Sequence, residues 1–162
     1  MRVPMNAANE FRIRPGTLAD VAEILRQRRG MYHDMGHTDP AGLDAMVTSS
    51  EPYLRSAMAV GTLHSWLATT EDGIVVGGGV VIITPRLSRP HFPHCHEASI
   101  LNVYVYPEFR RRGIGRKVMQ SMIDWCRDAG FNYVSLHASD DGRVLYESMG
   151  FEPTGELRLK LR

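Results

Sequence analysis

Apolar positions recur along this chain with two periods, those of a strand and of a helix, and the switches between them mark its elements. Phe11-Arg12-Ile13-Arg14 alternates as a first strand, and Pro15-Gly16 turns the chain. Thr17 with Asp20 three residues later resembles a capping box. Leu18, Val21 and Leu25, with Ile24 beside them, then share a helical face. That helix is expected to fray between Gly30 and Gly36, leaving residues 31 to 40 as a connection. Leu43 to Val60 reads as a second helical region, interrupted by Pro52. Leu63 to Ala68 is a strand, Glu71-Asp72-Gly73 a hairpin turn, and Ile74 to Thr84 a long strand holding three successive glycines, Gly77 to Gly79.

Pro85 to His96 carries three prolines and three histidines and reads as a loop. A central strand follows from Ala98 to Tyr106, then a helix from Gly115 to Ala129 with Val118, Met119, Met122, Ile123 and Cys126 on one face. Gly130 suits a left-handed helix stop. Tyr133 to His137 is a further strand, and Asp141 to Met149 a short helix ended by Gly150. A strand is expected from Phe151, a turn at Pro153-Thr154-Gly155, and a last strand in which Leu157, Leu159 and Leu161 alternate. The expected order is β-α-α-β-β-β-α-β-α-β-β, in a single mixed domain over 11–162 after a polar lead-in at 1–10.

The stretch from Leu101 to Lys117 carries the candidate chemistry. Val103 and Val105 alternate with Tyr104 and Tyr106, and Pro107 ends the strand. Arg110, Arg111 and Arg112 follow, and Gly113-Ile114-Gly115 opens the next helix. A helix start has unpaired N–H groups and a partial positive charge, and glycine lets a phosphate approach its backbone. A Walker loop fails because Arg116 follows Gly115, and a dinucleotide fingerprint fails because position 118 is Val118. What remains is RxxGxG from Arg110 to Gly115, or else an ordinary strand–helix turn with solvated arginines.

Composition narrows the classes. At 162 residues the chain can bury a real core, and its net charge of +1 gives no general attraction to nucleic acid or an anionic membrane. Two cysteines make no disulfide framework, and no apolar run approaches the roughly 18 residues of a membrane span. A cytoplasmic location is expected. The cluster His91, His94, Cys95 and His96 lacks paired metal-ligand spacing, so no metal is expected.

RxxGxG after a strand, together with the segment LHASDDGRVLYESMGFEPT from Leu136 to Thr154, resembles the GCN5-related N-acetyltransferase (GNAT) superfamily, in particular an uncharacterised bacterial branch. The resemblance implies an α/β fold of the α+β kind, a central mixed sheet flanked by helices that binds acyl-CoA. It implies acetyl transfer from acetyl-CoA, with CoA as product, to a primary amine of a small molecule or peptide in a ternary complex. A non-catalytic acyl-CoA sensor or regulatory module is the alternative, and a homodimer through terminal strands is open.

Carried over residue by residue, Val103, Tyr104 and Val105 would pair with the pantetheine arm, one N–H polarising the thioester. Arg110, Arg111, Arg112, Gly113, Ile114, Gly115 and Arg116 would surround the pyrophosphate. Tyr146 matches the tyrosine of the family's LY pair and would protonate the departing thiolate, since a phenol is protonated at neutral pH. The base position falls on Ser99, a departure, so Glu97 two residues earlier is the substitute, with His137 as a second candidate. Ser139 stands where the family often has asparagine, and would bond to the cofactor or cap the helix. Tyr32, His33, His37 and His91 lie in segments that would shape the acceptor pocket.

Overall fold

The computed structural model describes residues 10–162. The lead-in expected at 1–10 therefore lies, apart from Glu10, outside the described residues. Strands β1 (Phe11–Pro15), β2 (Leu63–Thr70), β3 (Val75–Pro85), β4 (His96–Val105) and β5 (Val134–Leu136) form a sheet in chain order. The first four pair antiparallel, and β5 joins β4 in parallel, which makes the sheet mixed. Helices α1 (Val21–Asp34) and α2 (Pro40–Val60) precede β2; α3 (Ile114–Asp128) joins β4 to β5, and α4 (Asp140–Ser148) follows β5.

Each sheet face buries its own apolar cluster. Val118, Met119, Met122 and Cys126 of α3 pack with Trp66, Ala68, Val76 and Ile100. Val21, Ile24 and Leu25 of α1 pack with Leu54, Leu67 and Val80. Leu18 stands outside this second cluster and is largely exposed. Among the described residues, no helix is long and apolar enough to cross a membrane.

Three expectations are corrected. First, α1 ends at Asp34, inside the range where fraying is expected, but residues 31–34 belong to the helix and not to the connection. Gly30 sits inside the helix because the Tyr104 ring packs there; a Cβ would lie 2.7 Å from its hydroxyl oxygen. Second, α2 starts at Pro40 and passes through Pro52 as a single helix. Asp39 caps it, accepting from the amides of Ala41 at 3.2 Å and Gly42 at 3.0 Å. Third, residues 149–162 form no strand. Leu157, Leu159 and Leu161 alternate, yet are 97%, 81% and 84% exposed. Alternation alone does not make a strand: it needs a partner edge, and β5 offers three residues of ladder.

The Thr17–Asp20 box forms as read. Asp20 also takes both ends of the Arg14 guanidinium, at 2.8 and 2.9 Å, and accepts the Thr17 amide at 2.8 Å. The Arg14 hydrogen bonds, chiefly, hold its carboxyl down at about 2. The folded value lies below the unfolded one, so this contribution to stability is complete above about pH 4 and is lost as pH falls toward the folded value. Asp20→Asn should flatten the acid side of a stability–pH curve in that window, measured by urea unfolding. An unchanged acid slope would show that the pair does not stabilise the fold.

The glycines of β3 mark close backbone approach. A Cβ on Gly77 would lie 2.6 Å from the Tyr104 carbonyl oxygen, whereas one on Gly79 would meet the flexible end of Met122 at 2.8 Å. Backbone cannot yield as a methionine tip can. Gly77→Ala should therefore destabilise by about 1–3 kcal/mol and Gly79→Ala by less, a ranking that denaturant unfolding of the two variants checks.

Candidate functional site

The site is built on an irregularity in β4. Leu101 pairs with Val80 and Tyr104 with Gly78, so Asn102 and Val103 together face the single residue Gly79. This is a β-bulge. Asn102 takes the left-handed conformation, φ 58°. Its side chain is buried, and its Nδ2 donates to the Ile24 carbonyl of α1 at 3.3 Å. The extra residue reverses the facing of the strand. Before it, Ala98 and Ile100 pack on the α3 side; after it, Val103 and Val105 do.

Pairing with β5 stops at Ile100 and Leu136, so the edge of β4 beyond Ile100 has no strand beside it among the described residues. Tyr106 donates to Val76 on β3 at 3.0 Å. By alternation, the peptide groups of Val105 point the other way, toward the open edge. The Val105 carbonyl does so visibly, accepting from Arg110 Nε at 2.8 Å. A row of main-chain groups therefore lines the gap between β4 and β5.

The loop after β4 ends in a helix start that no side chain caps among the described residues. Arg111 and Gly113 are both left-handed, at φ 65° and 76°. Gly113 is the N-cap of α3 and supplies no side-chain cap. The first bond of the helix runs from the Lys117 amide to the Gly113 carbonyl at 3.1 Å. The N–H groups of Ile114, Gly115 and Arg116 thus belong to the unpaired first turn, a cradle for an anion.

The four arginines divide their work. Arg110 is an internal brace: it pairs with Asp34 of α1, holds the Val105 carbonyl, and lies 5.4 Å from the Tyr104 ring centre. Arg112 rests on Phe109 and is 3.4 Å from Glu10. Arg116 Nη2 donates to Ser148 Oγ at 2.6 Å, fastening α3 to α4. Arg111 alone among them has no side-chain partner among the described residues.

Tyr146 lies on α4, packed against the α3-side core and 6.1 Å from the Phe151 ring. Gly142, one turn earlier, makes room for it; a Cβ there would lie 2.7 Å from the Tyr146 ring. Its hydroxyl has no hydrogen-bond partner among the described residues. Burial pushes this phenol above its ordinary value of 10. Ser139 is the N-cap of α4 and accepts the Gly142 amide at 3.3 Å.

The remaining candidates are spread more widely. Tyr32, His33 and His37 gather where α1 ends: the Tyr32 and His37 rings are 5.4 Å apart, and His33 Nδ1 is 3.7 Å from Asp34. This places them beside the Arg110 brace. His91 lies apart from them on the β3–β4 loop, where its carbonyl accepts from Asn132 at 3.5 Å. Glu97 sits near the start of β4, paired with Arg86 and 3.7 Å from Arg89. At about 3.3 Å per residue it is roughly 20 Å along the strand from Val103. Ser99 Oγ is 2.9 Å from Ser135 Oγ, and His137 is 3.5 Å from Glu156.

Sequence reasoning missed Asn102, Gly142 and Ser148. Asn102 left a signal: the apolar positions Ala98 and Ile100 are even-numbered, and Val103 and Val105 are odd.

The acetyltransferase (GNAT) family model matches residues 23–151. A GCN5-related N-acetyltransferase from Ralstonia eutropha superposes with a TM-score of 0.85 at 28% identity, covering 93% of this chain and 98% of that one. A predicted acetyltransferase from Clostridium acetobutylicum, solved with acetyl-CoA, has the same fold, with a TM-score of 0.83 at 22% identity over 93% and 96% of the two chains. Human N-acetyltransferase 8 is 27% identical over 95 residues, 56% of this chain and 39% of its own length. The chain thus spans about two fifths of the length of the curated relatives it matches.

The arginine assignments separate experimentally. Arg110→Ala, which frees Asp34 and the Val105 carbonyl, should lower the unfolding free energy by about 1–2 kcal/mol. Arg111→Ala should leave it within about 0.5 kcal/mol. Equal losses in urea titrations would contradict this division.

Proposed function

This chain belongs to the acetyltransferase (GNAT) family, and we propose that it moves an acetyl group from acetyl-CoA to a primary amine by direct transfer in a ternary complex. One juxtaposition supports the reading above the rest. The open edge of β4, the uncapped start of α3 and α4, the helix that carries Tyr146, come together at Gly115, where a Cβ would lie 4.0 Å from the Val105 side chain and 3.5 Å from that of Leu145. An acyl-CoA needs three things there: donors for its pyrophosphate, an extended partner for its amide-bearing arm, and a polar group near its thioester.

In this reading the N–H groups of Ile114, Gly115 and Arg116 hold the pyrophosphate. Arg111 adds a charge that can move with the ligand, while Gly113 leaves the helix end clear. The outward peptide groups of Val103 and Val105 pair with the pantetheine arm. One of their N–H groups stabilises charge building on the thioester oxygen, an effect typically of a few kcal/mol where water is excluded. The amine nitrogen attacks the carbonyl carbon, the C–N bond forms and the C–S bond breaks. Tyr146 donates its proton to the leaving sulfur, and the proton released by the amine returns through solvent to the Tyr146 phenolate. Glu97 has no part in this scheme, because Arg86 holds its carboxylate at the far end of β4. Tyr32, His33 and His37, grouped at the end of α1, line the approach for the acceptor, a small-molecule or peptide amine.

Thermal unfolding with CoA, acetyl-CoA, ATP or buffer tests the ligand. A ligand at a hundredfold excess over its Kd adds about 2.7 kcal/mol, so both CoA forms should raise Tm and ATP should not. Arg111→Ala should weaken that shift. Tyr146→Phe should retain it while slowing thiol release, in an amine screen, by about 10²–10⁴-fold. Full turnover in Tyr146→Phe would remove the acid role; a CoA shift with no turnover in any amine would favour the sensor.

A further inference from the structure

The arginines and carboxylates of 28–44, from the end of α1 into the start of α2, answer one another with one exception. Three carboxylates lie in this segment. Asp34 pairs with Arg110, Asp44 accepts from Arg29 at 3.0 Å, and Asp39 is taken up by the amides of Ala41 and Gly42. Arg28 is left over. Its guanidinium has no carboxylate partner among the described residues and lies 5.0 Å from the centre of the Tyr32 ring. A ring face attracts a cation without cancelling its charge.

The position of Arg28 is as telling as its charge. Ile24, Arg28 and Tyr32 follow one another at four-residue spacing and so share one face of α1. Ile24 is buried, and its carbonyl accepts from Asn102 in the middle of β4. Arg28 stands about 6 Å further along the helix, and it and Tyr32 are half-buried. Gly36, left-handed at φ 97°, then turns the chain back on itself. The His37 amide donates to the Tyr32 carbonyl at 3.1 Å, and the two rings lie 5.4 Å apart. A guanidinium fork, a phenol and an imidazole are thus gathered beside β4, and none of the three side chains is hydrogen bonded among the described residues. Each can donate, and together they carry positive charge. Such a corner suits a carboxylate, which a guanidinium can hold through two parallel bonds, and it repels a polycation.

We propose that Arg28 is a specificity-determining residue: with Tyr32 and His37 it holds the carboxylate of an acceptor that is an α-amino acid. This deepens the acetyl-transfer reading and rests on it. An α-amino acid carries its amine and its carboxylate on one carbon, so fixing the carboxylate at α1 confines the amine to the neighbouring stretch of β4. The same corner disfavours acceptors whose only charges are positive.

The test is thiol release from acetyl-CoA by the full chain with a panel of L-amino acids, with the matching amino acid amides, and with spermidine. The amides keep the amine and lose the negative charge. The best amino acid should exceed its amide in kcat/KM by about 10–100-fold, as expected for a hydrogen-bonded charge pair. Arg28→Gln keeps a long, helix-forming side chain, so it should fold and show the same rise in Tm with CoA. It should raise KM for that amino acid by a similar factor while kcat stays within about threefold. Arg28→Lys, which keeps the charge without the fork, should recover part of the loss. An amide or spermidine used as well as the acid, or an acid preference that survives in Arg28→Gln, overturns this proposal and leaves acetyl transfer standing. A Tm rise with CoA but no thiol release with any amino acid overturns it as well. No Tm rise with CoA or acetyl-CoA overturns the acetyl-CoA reading and this proposal with it.

Discussion

One residue too many in β4 governs this molecule. Between Val80 and Gly78 the partner strand spends a single residue, Gly79, while β4 spends Asn102 and Val103. Because side chains alternate across a sheet, that surplus exchanges the two faces of everything after it. Tyr104 and Tyr106 consequently turn toward α1, where the Tyr104 ring fills the space at Gly30 and the Tyr106 hydroxyl donates to Glu23 at 2.8 Å. Val103 and Val105 turn toward α3 and the start of the phosphate-type loop. With regular pairing the tyrosines would meet the apolar α3 face and the valines would meet α1. Both clusters would have to be rebuilt.

The bulge also explains why the arginines behave unlike one another. A strand that leaves its neighbour exposes carbonyls as well as amides, and an exposed carbonyl beside the proposed anion cradle is a liability. Arg110 neutralises this at Val105 by donating to the carbonyl, and Asp34 balances the charge that Arg110 brings. In the proposed reading, anion binding then rests on backbone N–H groups and on Arg111, whose guanidinium has no side-chain partner among the described residues. This division fits a chain of net charge +1, in which a strong local positive potential comes from helix geometry more than from charge in bulk.

Much of this was legible before any coordinates. Strand and helix periods placed the elements from β1 to α4, most plainly where burial itself is periodic, as along β4 and on the one buried face of α3. RxxGxG marked the turn because glycine and arginine have few other reasons to sit between a strand and a helix in that spacing. The failures have a common physical source. Gly30 reads as a helix breaker, and Pro52 as an interruption, only while tertiary packing is invisible; Tyr104 supplies a reason for the first. The leucines at 157, 159 and 161 carry a strand pattern with no edge to receive it. Glu97, read as a base by facing from Ser99, is a different case: its role stays open, and its Arg86 partner is a three-dimensional fact that facing along a strand does not reveal.

Tyr146 shows how packing can select one chemical role among several. A phenol can donate or, as phenolate, accept. Burial against Phe151 and the α3-side core raises the cost of the anion, so the neutral donor persists well beyond neutral pH. Gly142 brings this about by leaving the ring space on the helix surface one turn earlier, and the Ser139 cap fixes the start of the helix that carries both. A hydroxyl shielded on its ring but unbonded at its oxygen has one proton to give and, among the described residues, no acceptor to give it to. The proposed acid role asks for that state, since its acceptor would arrive only as a leaving sulfur, and the packing of α4 provides it before any ligand is considered.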